Sequence, residues 1–171
     1  MIISLTGFMG CGKSSVGKKL SELLCCRFID LDSEIEQRVG CPVAEIFRQQ
    51  GETEFRKMEQ SVLMDIIESS TVHDKLVLAL GGGAVMTPAN EETVHKDSTC
   101  IYLKTSVNEL VNRLSSETSG RPLLTSSDLR SRILELMSQR ASTYERVAHL
   151  VIDTDGKKVG EIAEEILLCL H

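Results

Sequence analysis

The chain has 171 residues, 42% of them hydrophobic and 26% charged, and a formal net charge of −6. That length is about one domain of roughly 150 residues and can bury a core without disulfides or metals. The composition excludes a mainly disordered, collagenous or coiled-coil chain. The longest apolar run, about five residues at 76–80, excludes a membrane span. The acidic balance argues against a nucleic-acid partner, which wants a basic face.

In chain order, residues 2–6 are apolar and β-rich and read as a buried strand. From Ser14 the period changes, and Val16, Leu20, Leu23 and Leu24 share one face of a helix. Residues 28–30 form a second strand. Ser33 is the expected cap of a short helix ending at Gly40, and Pro42 suits the first turn of another ending near Gly51. A long helix is predicted over 52–69, with Phe55, Met58, Val62 and Ile66 inward. A strand at 76–80 closes on Gly81-Gly82-Gly83, and a short helix covers 88–96. A strand follows at 99–103, then a helix capped by Ser106 and running to Leu114. Residues 115–127 are polar and carry Gly120-Arg121-Pro122; a segment of this kind reads as a lid or binding loop, or as an ordinary surface loop. A helix over 129–147, a strand at 150–153 and an amphipathic helix over 159–170 complete the chain. Five strands separated by helices imply parallel crossovers and a single α/β sandwich domain over 1–171.

Six cysteines stand at 11, 25, 26, 41, 100 and 169, with no C-x-x-C pair and no histidine cluster beside them. They read as structural thiols of a reducing cytoplasm rather than a metal site or a disulfide framework. Cys11 is a position where alkylation is conceivable. The start lacks a charged n-region and a cleavage site, so neither a signal nor a transit peptide is expected.

Gly7-Phe8-Met9-Gly10-Cys11-Gly12-Lys13-Ser14 fits G-x-x-x-x-G-K-[ST] between a strand and a helix. Glycines allow torsions that turn successive N–H groups onto an anion, and the helix adds its positive end. Lys13 reaches the β- and γ-phosphates, and Ser14 offers a hydroxyl to Mg²⁺. This predicts a nucleoside triphosphate with magnesium. A guanine-reading N-K-x-D is lacking, and the size suits a small kinase acting on a metabolite or nucleotide.

Asp30-Leu31-Asp32 follows the second strand, where a parallel sheet collects its ligands. One aspartate can hold a metal-bound water and the other an acceptor hydroxyl; two solvated turn carboxylates would look the same. Arg56 and Glu59 share a helix face, an arrangement also common in exposed ion pairs worth only about 0.3–0.5 kcal/mol. Gly81-Gly82-Gly83 lets a ligand approach the backbone closely, or simply makes a helix-entry turn.

In this order these segments resemble the shikimate kinase family over nearly the whole chain. The matching pieces are residues 7–14, Asp30-Leu31-Asp32, and Gly51-Glu52 leading to Phe55-Arg56 and Glu59, followed by Leu80-Gly81-Gly82-Gly83-Ala84-Val85, Arg121-Pro122-Leu123-Leu124, and Arg140 with Tyr144. The resemblance implies Mg²⁺-dependent transfer of the ATP γ-phosphoryl to the 3-hydroxyl of shikimate, a step toward chorismate and the aromatic amino acids. It also implies the fold of nucleoside monophosphate kinases, a five-stranded parallel sheet in the order 2-3-1-4-5, with a substrate-binding region at about 31–60 and a lid at about 115–127. Gly10, Cys11, Gly12, Lys13, Ser14 and Ser15 then hold the phosphates, and Ser14 and Asp30 serve one Mg²⁺. Asp32 binds the hydroxyls near the reacting oxygen and is a candidate base. Arg56 and Arg140 grip the carboxylate, Glu59 orients Arg56, and Gly82 and Gly83 offer backbone contacts. Arg121 is the lid arginine that reaches both the phosphates and the substrate, grouped with Lys13 and Asp32 as catalytic, and Arg113 packs on adenine.

The residue chemistry agrees. Shikimate is a monoanion with three hydroxyls, suited by guanidinium forks and a carboxylate acceptor. Aromatic residues make up only 4%, little for a nucleotide acceptor's base pocket. The family often reads R-x-P-x-Y where this chain has Arg140-Ala141-Ser142-Thr143-Tyr144, and residues 115–127 are longer and richer in serine. The competing readings are another small-metabolite kinase of the same fold, such as a gluconate kinase, and a silent nucleotide-binding module. ATP and shikimate are the expected partners of a monomeric, cytoplasmic enzyme.

Overall fold

The computed structural model describes residues 1–70, 75–117 and 126–170. Its five strands are β1 (Ile2–Thr6), β2 (Arg27–Asp30), β3 (Leu76–Ala79), β4 (Thr99–Lys104) and β5 (Leu150–Asp153). They form one sheet in the order β2-β3-β1-β4-β5, every pairing parallel. The central strands β1 and β3 are buried at every residue, as continuous apolar runs must be when helices cover both faces of a parallel sheet.

The helices are α1 (Lys13–Leu23), α2 (Leu31–Val39), α3 (Val43–Ser69), α4 (Pro88–Asp97), α5 (Val107–Glu117), α6 (Ser126–Val147) and α7 (Val159–Cys169), with a short 3-10 turn at Ala84–Met86. α1 packs on α7 and against β2 and β3, while α4 touches both α3 and α6 and packs, with α6, against β4. The result is the expected three-layer sandwich in the expected strand order. Among the described residues no helix is long and apolar enough to cross a membrane.

Three local expectations change. Asp30, not Ser33, caps α2: its extended backbone precedes the helix and its carboxylate accepts the Ser33 N–H at 3.2 Å. The two helices expected around Gly51 run as one, α3, broken at Gly51, whose φ of 80° and ψ of 172° are non-helical; Pro42 sits just before it as N-cap. Leu23, expected inward on α1, is 38% exposed, and the buried stripe is Val16, Gly17 and Leu20. Gly17 lets α1 lie close on β2, since a Cβ there would stand 2.5 Å from the Phe28 ring. The Ser106 cap holds, its hydroxyl accepting the Glu109 N–H at 3.2 Å.

Candidate active site at the strand ends

Beyond the carboxyl end of β1 the chain turns through Gly7, Gly10 and Gly12, all at positive φ. Gly12 is the left-handed N-cap of α1 and supplies no side-chain cap. The first-turn N–H groups of α1 are therefore available to an anion, with the helix dipole behind them. Lys13 Nζ donates to the Gly7 and Phe8 carbonyls at 2.8 and 2.9 Å and lies 3.7 Å from Cys11 Sγ. Cys11 is fully buried, so the alkylation considered from sequence meets a shielded thiol. A cleft of about 330 Å³ opens here, lined among others by Gly10, Lys13, Ser14, Asp30 and Asp32.

The Ser14 hydroxyl donates to Asp30 Oδ2. Asp30 therefore joins two elements, capping α2 with one oxygen and meeting α1 with the other. A hydroxyl and a carboxylate side by side are hard oxygen donors of the kind Mg²⁺ takes when substrate phosphates and water complete its shell, so the residues fit that ion.

On the other wall three consecutive glycines after β3 each meet a charged side chain. A Cβ on Gly81 would stand 2.7 Å from Asp32 Oδ1 and 3.0 Å from Glu59 Oε1. A Cβ on Gly83 would overlap the Arg56 guanidinium. The Gly82 carbonyl accepts from Arg140 Nη1 at 3.5 Å and from the Tyr144 hydroxyl. Asp32, Arg56 and Arg140, from α2, α3 and α6, thus converge on the turn that flanks the phosphate loop; a Cβ on Gly82 itself would lie 3.3 Å from the Met9 backbone nitrogen.

Arg56 Nη1 donates to Glu59 Oε2 at 2.6 Å, and the guanidinium lies 5.3 Å from the Phe55 ring centroid. Glu59 is fully buried, and its Oε1 has no partner. The exposed pair that sequence spacing allowed is therefore a buried one. Burial pushes the Glu59 carboxyl above the ordinary range, and Arg56 only partly opposes it. Burial also raises Asp32 above 3.8, with the Asp30 charge adding and Lys13 opposing. Asp32 is thus better disposed than a surface aspartate to accept a proton.

Arg113, from α5, lies against the phosphate loop. It pairs with Glu109 at 2.8 Å and donates to the Cys11 carbonyl at 3.2 Å and the Thr154 carbonyl at 3.3 Å. With the phosphate loop it lines a groove of about 510 Å³ that also receives Ser15, Lys157 and Lys158. The two lysines escaped the sequence reading, whose available signal was two adjacent cations just before the last helix. Arg121 and residues 118–125 of the expected lid lie outside the described residues.

The family model described as shikimate kinase matches residues 9–171. A shikimate kinase of Caldanaerobacter subterraneus is 42% identical over 96% of this chain and 93% of its own length. One of Thermus thermophilus is 39% identical over 96% of this chain and 87% of its own. The structure of an Acinetobacter baumannii shikimate kinase in complex with shikimate superposes with a TM-score of 0.88 at 35% identity, covering 99% of this chain and 92% of that one. Neither the gluconate kinase reading nor the silent module is favoured by these relatives. The chain belongs to the shikimate kinase family and is a kinase, a phosphotransferase acting on an alcohol group.

Proposed function

We propose that the chain transfers the γ-phosphoryl of ATP to the 3-hydroxyl of shikimate in a single domain, giving shikimate 3-phosphate and ADP. The observation that carries this reading is the meeting of Asp32, Arg56 and Arg140 on Gly81–Gly83 beside the phosphate loop. Two guanidiniums suit a carboxylate, and an aspartate suits a hydroxyl. The relative solved with shikimate supports the choice of acid.

Arg56 and Arg140 orient the acid by its carboxylate, with the Gly82 and Gly83 backbone beneath it. Asp32 accepts a hydrogen bond from the reacting hydroxyl and takes its proton as the phosphoryl transfers. Lys13, leaving the Gly7 and Phe8 carbonyls, meets the phosphates, and N–H groups of residues 10–15 hold them. Ser14 and Asp30 are the residues to hold Mg²⁺, which neutralises phosphate charge when bound. Arg113 flanks the adenine. Residues 115–127, with Arg121, are the proposed lid, and about 31–60 the substrate-binding region. The enzyme is proposed as cytoplasmic and monomeric; the six free cysteines agree with a reducing compartment.

A coupled assay of ADP release over a panel of acceptors tests the reading. Shikimate is expected to support turnover, with gluconate and nucleoside monophosphates at background. Turnover of gluconate with shikimate inert would overturn it.

A further inference from the structure

Tyr144 lies one helical turn after Arg140 on α6. Its side chain is fully buried, and its ring is tilted against Tyr102 with centroids 5.2 Å apart. Its hydroxyl donates to the Gly82 carbonyl, the same oxygen that Arg140 Nη1 reaches at 3.5 Å. The Arg140 charge also acts on the phenol, favouring its ionised form. The phenol and the guanidinium thus share one acceptor, the Gly82 carbonyl. Burial pushes the Tyr144 phenol up to about 12 although Arg140 opposes it, so the hydroxyl keeps its proton and remains a donor at any working pH.

We infer that Tyr144 is a positioning residue for the acceptor's carboxylate: by satisfying the Gly82 carbonyl, its hydroxyl leaves the Arg140 guanidinium fork to the substrate. The inference rests on the reading of Arg140 given above. A partly buried carbonyl is best satisfied by a donor. Without the hydroxyl the nearest one is Arg140 itself, already at the outer edge of bonding distance. A guanidinium drawn onto Gly82 turns its fork away from the crevice, and bidentate recognition depends on that alignment. Gly82 also lies between the glycines that meet Asp32 and Arg56, so its carbonyl orientation sets the floor of the site.

Tyr144→Phe tests this. The KM for shikimate is expected to rise about tenfold, equivalent to about 1.4 kcal/mol, with kcat and the KM for ATP within about twofold of the parent. In an Arg140→Lys background, where the fork is gone, the same substitution should add less than about twofold. With the carboxamide of shikimate as acceptor, parent and Tyr144→Phe should have the same KM. A common change in kcat and both KM values, with a lower Tm, would show a merely structural tyrosine and overturn the inference. An unchanged shikimate KM in Tyr144→Phe, with Arg140→Lys impaired, would overturn the inference alone. An unchanged KM in Arg140→Lys would overturn the carboxylate reading and this inference with it.

Discussion

Arg56→Ala is expected to lower kcat/KM for shikimate by about 10³-fold, about 4 kcal/mol, because it removes one of two guanidiniums from a partly buried carboxylate site. The same change should destabilise the ligand-free fold. Arg56 is only 18% exposed and is held by Glu59 at 2.6 Å, while Glu59 has no exposure at all. Deleting the arginine leaves a buried carboxylate with neither oxygen paired, a loss of about 3 kcal/mol. The pH dependence has a definite sign. A carboxyl whose folded pKa is raised favours the fold while protonated, and that advantage is lost as pH rises from its unfolded value through its folded one. Glu59 is already raised by burial, and losing Arg56 raises it further, so the deficit should widen from pH 5 to pH 8 in urea unfolding. Adding Glu59→Gln to Arg56→Ala should recover stability and not activity. Equal stability of parent and Arg56→Ala at both pH values would contradict the buried pair.

Asp32→Asn should lower kcat by about 10²- to 10⁴-fold, the range for loss of a positioned general base, with a smaller change in the KM for shikimate. Asparagine can still accept a hydrogen bond from the hydroxyl but cannot take its proton. The ligand-free protein should respond in the opposite direction. Asp32 is raised chiefly by burial and then by Asp30, so its ionisation costs the fold stability as pH climbs above the ordinary aspartate range. A neutral amide avoids that cost. The variant should therefore melt higher than the parent at pH 7, with the gap shrinking as pH falls toward 4. Retained kcat would remove the base, and a lower Tm at pH 7 would contradict the electrostatic strain.

Much of this was legible in the sequence because the signals are local. Short stretches rich in apolar residues mark the strands β1 to β5, and glycines followed by Lys13-Ser14 mark the loop and the helix start. The strand order came from family resemblance, since no local pattern orders strands that are far apart in the chain. Asp30, Asp32 and Ser33 are all good capping residues around the start of α2, and only the backbone torsions show that Asp30 is the extended one. The character of the Arg56–Glu59 pair was hidden for another reason. Spacing of three residues reports a shared helix face, but burial depends on the glycine turn after β3 packing over it. Tyr144 is the furthest case. Its hydroxyl bonds a carbonyl 62 positions earlier, and a sequence pattern shows a buried aromatic without its partner.

The most direct test is a crystal structure of the chain with shikimate and ADP. The expected result places the shikimate carboxylate between the Arg56 and Arg140 guanidiniums and its 3-hydroxyl within hydrogen-bond distance of Asp32, facing the phosphate loop. Shikimate bound elsewhere, or with its carboxylate turned away from both arginines, would contradict the account.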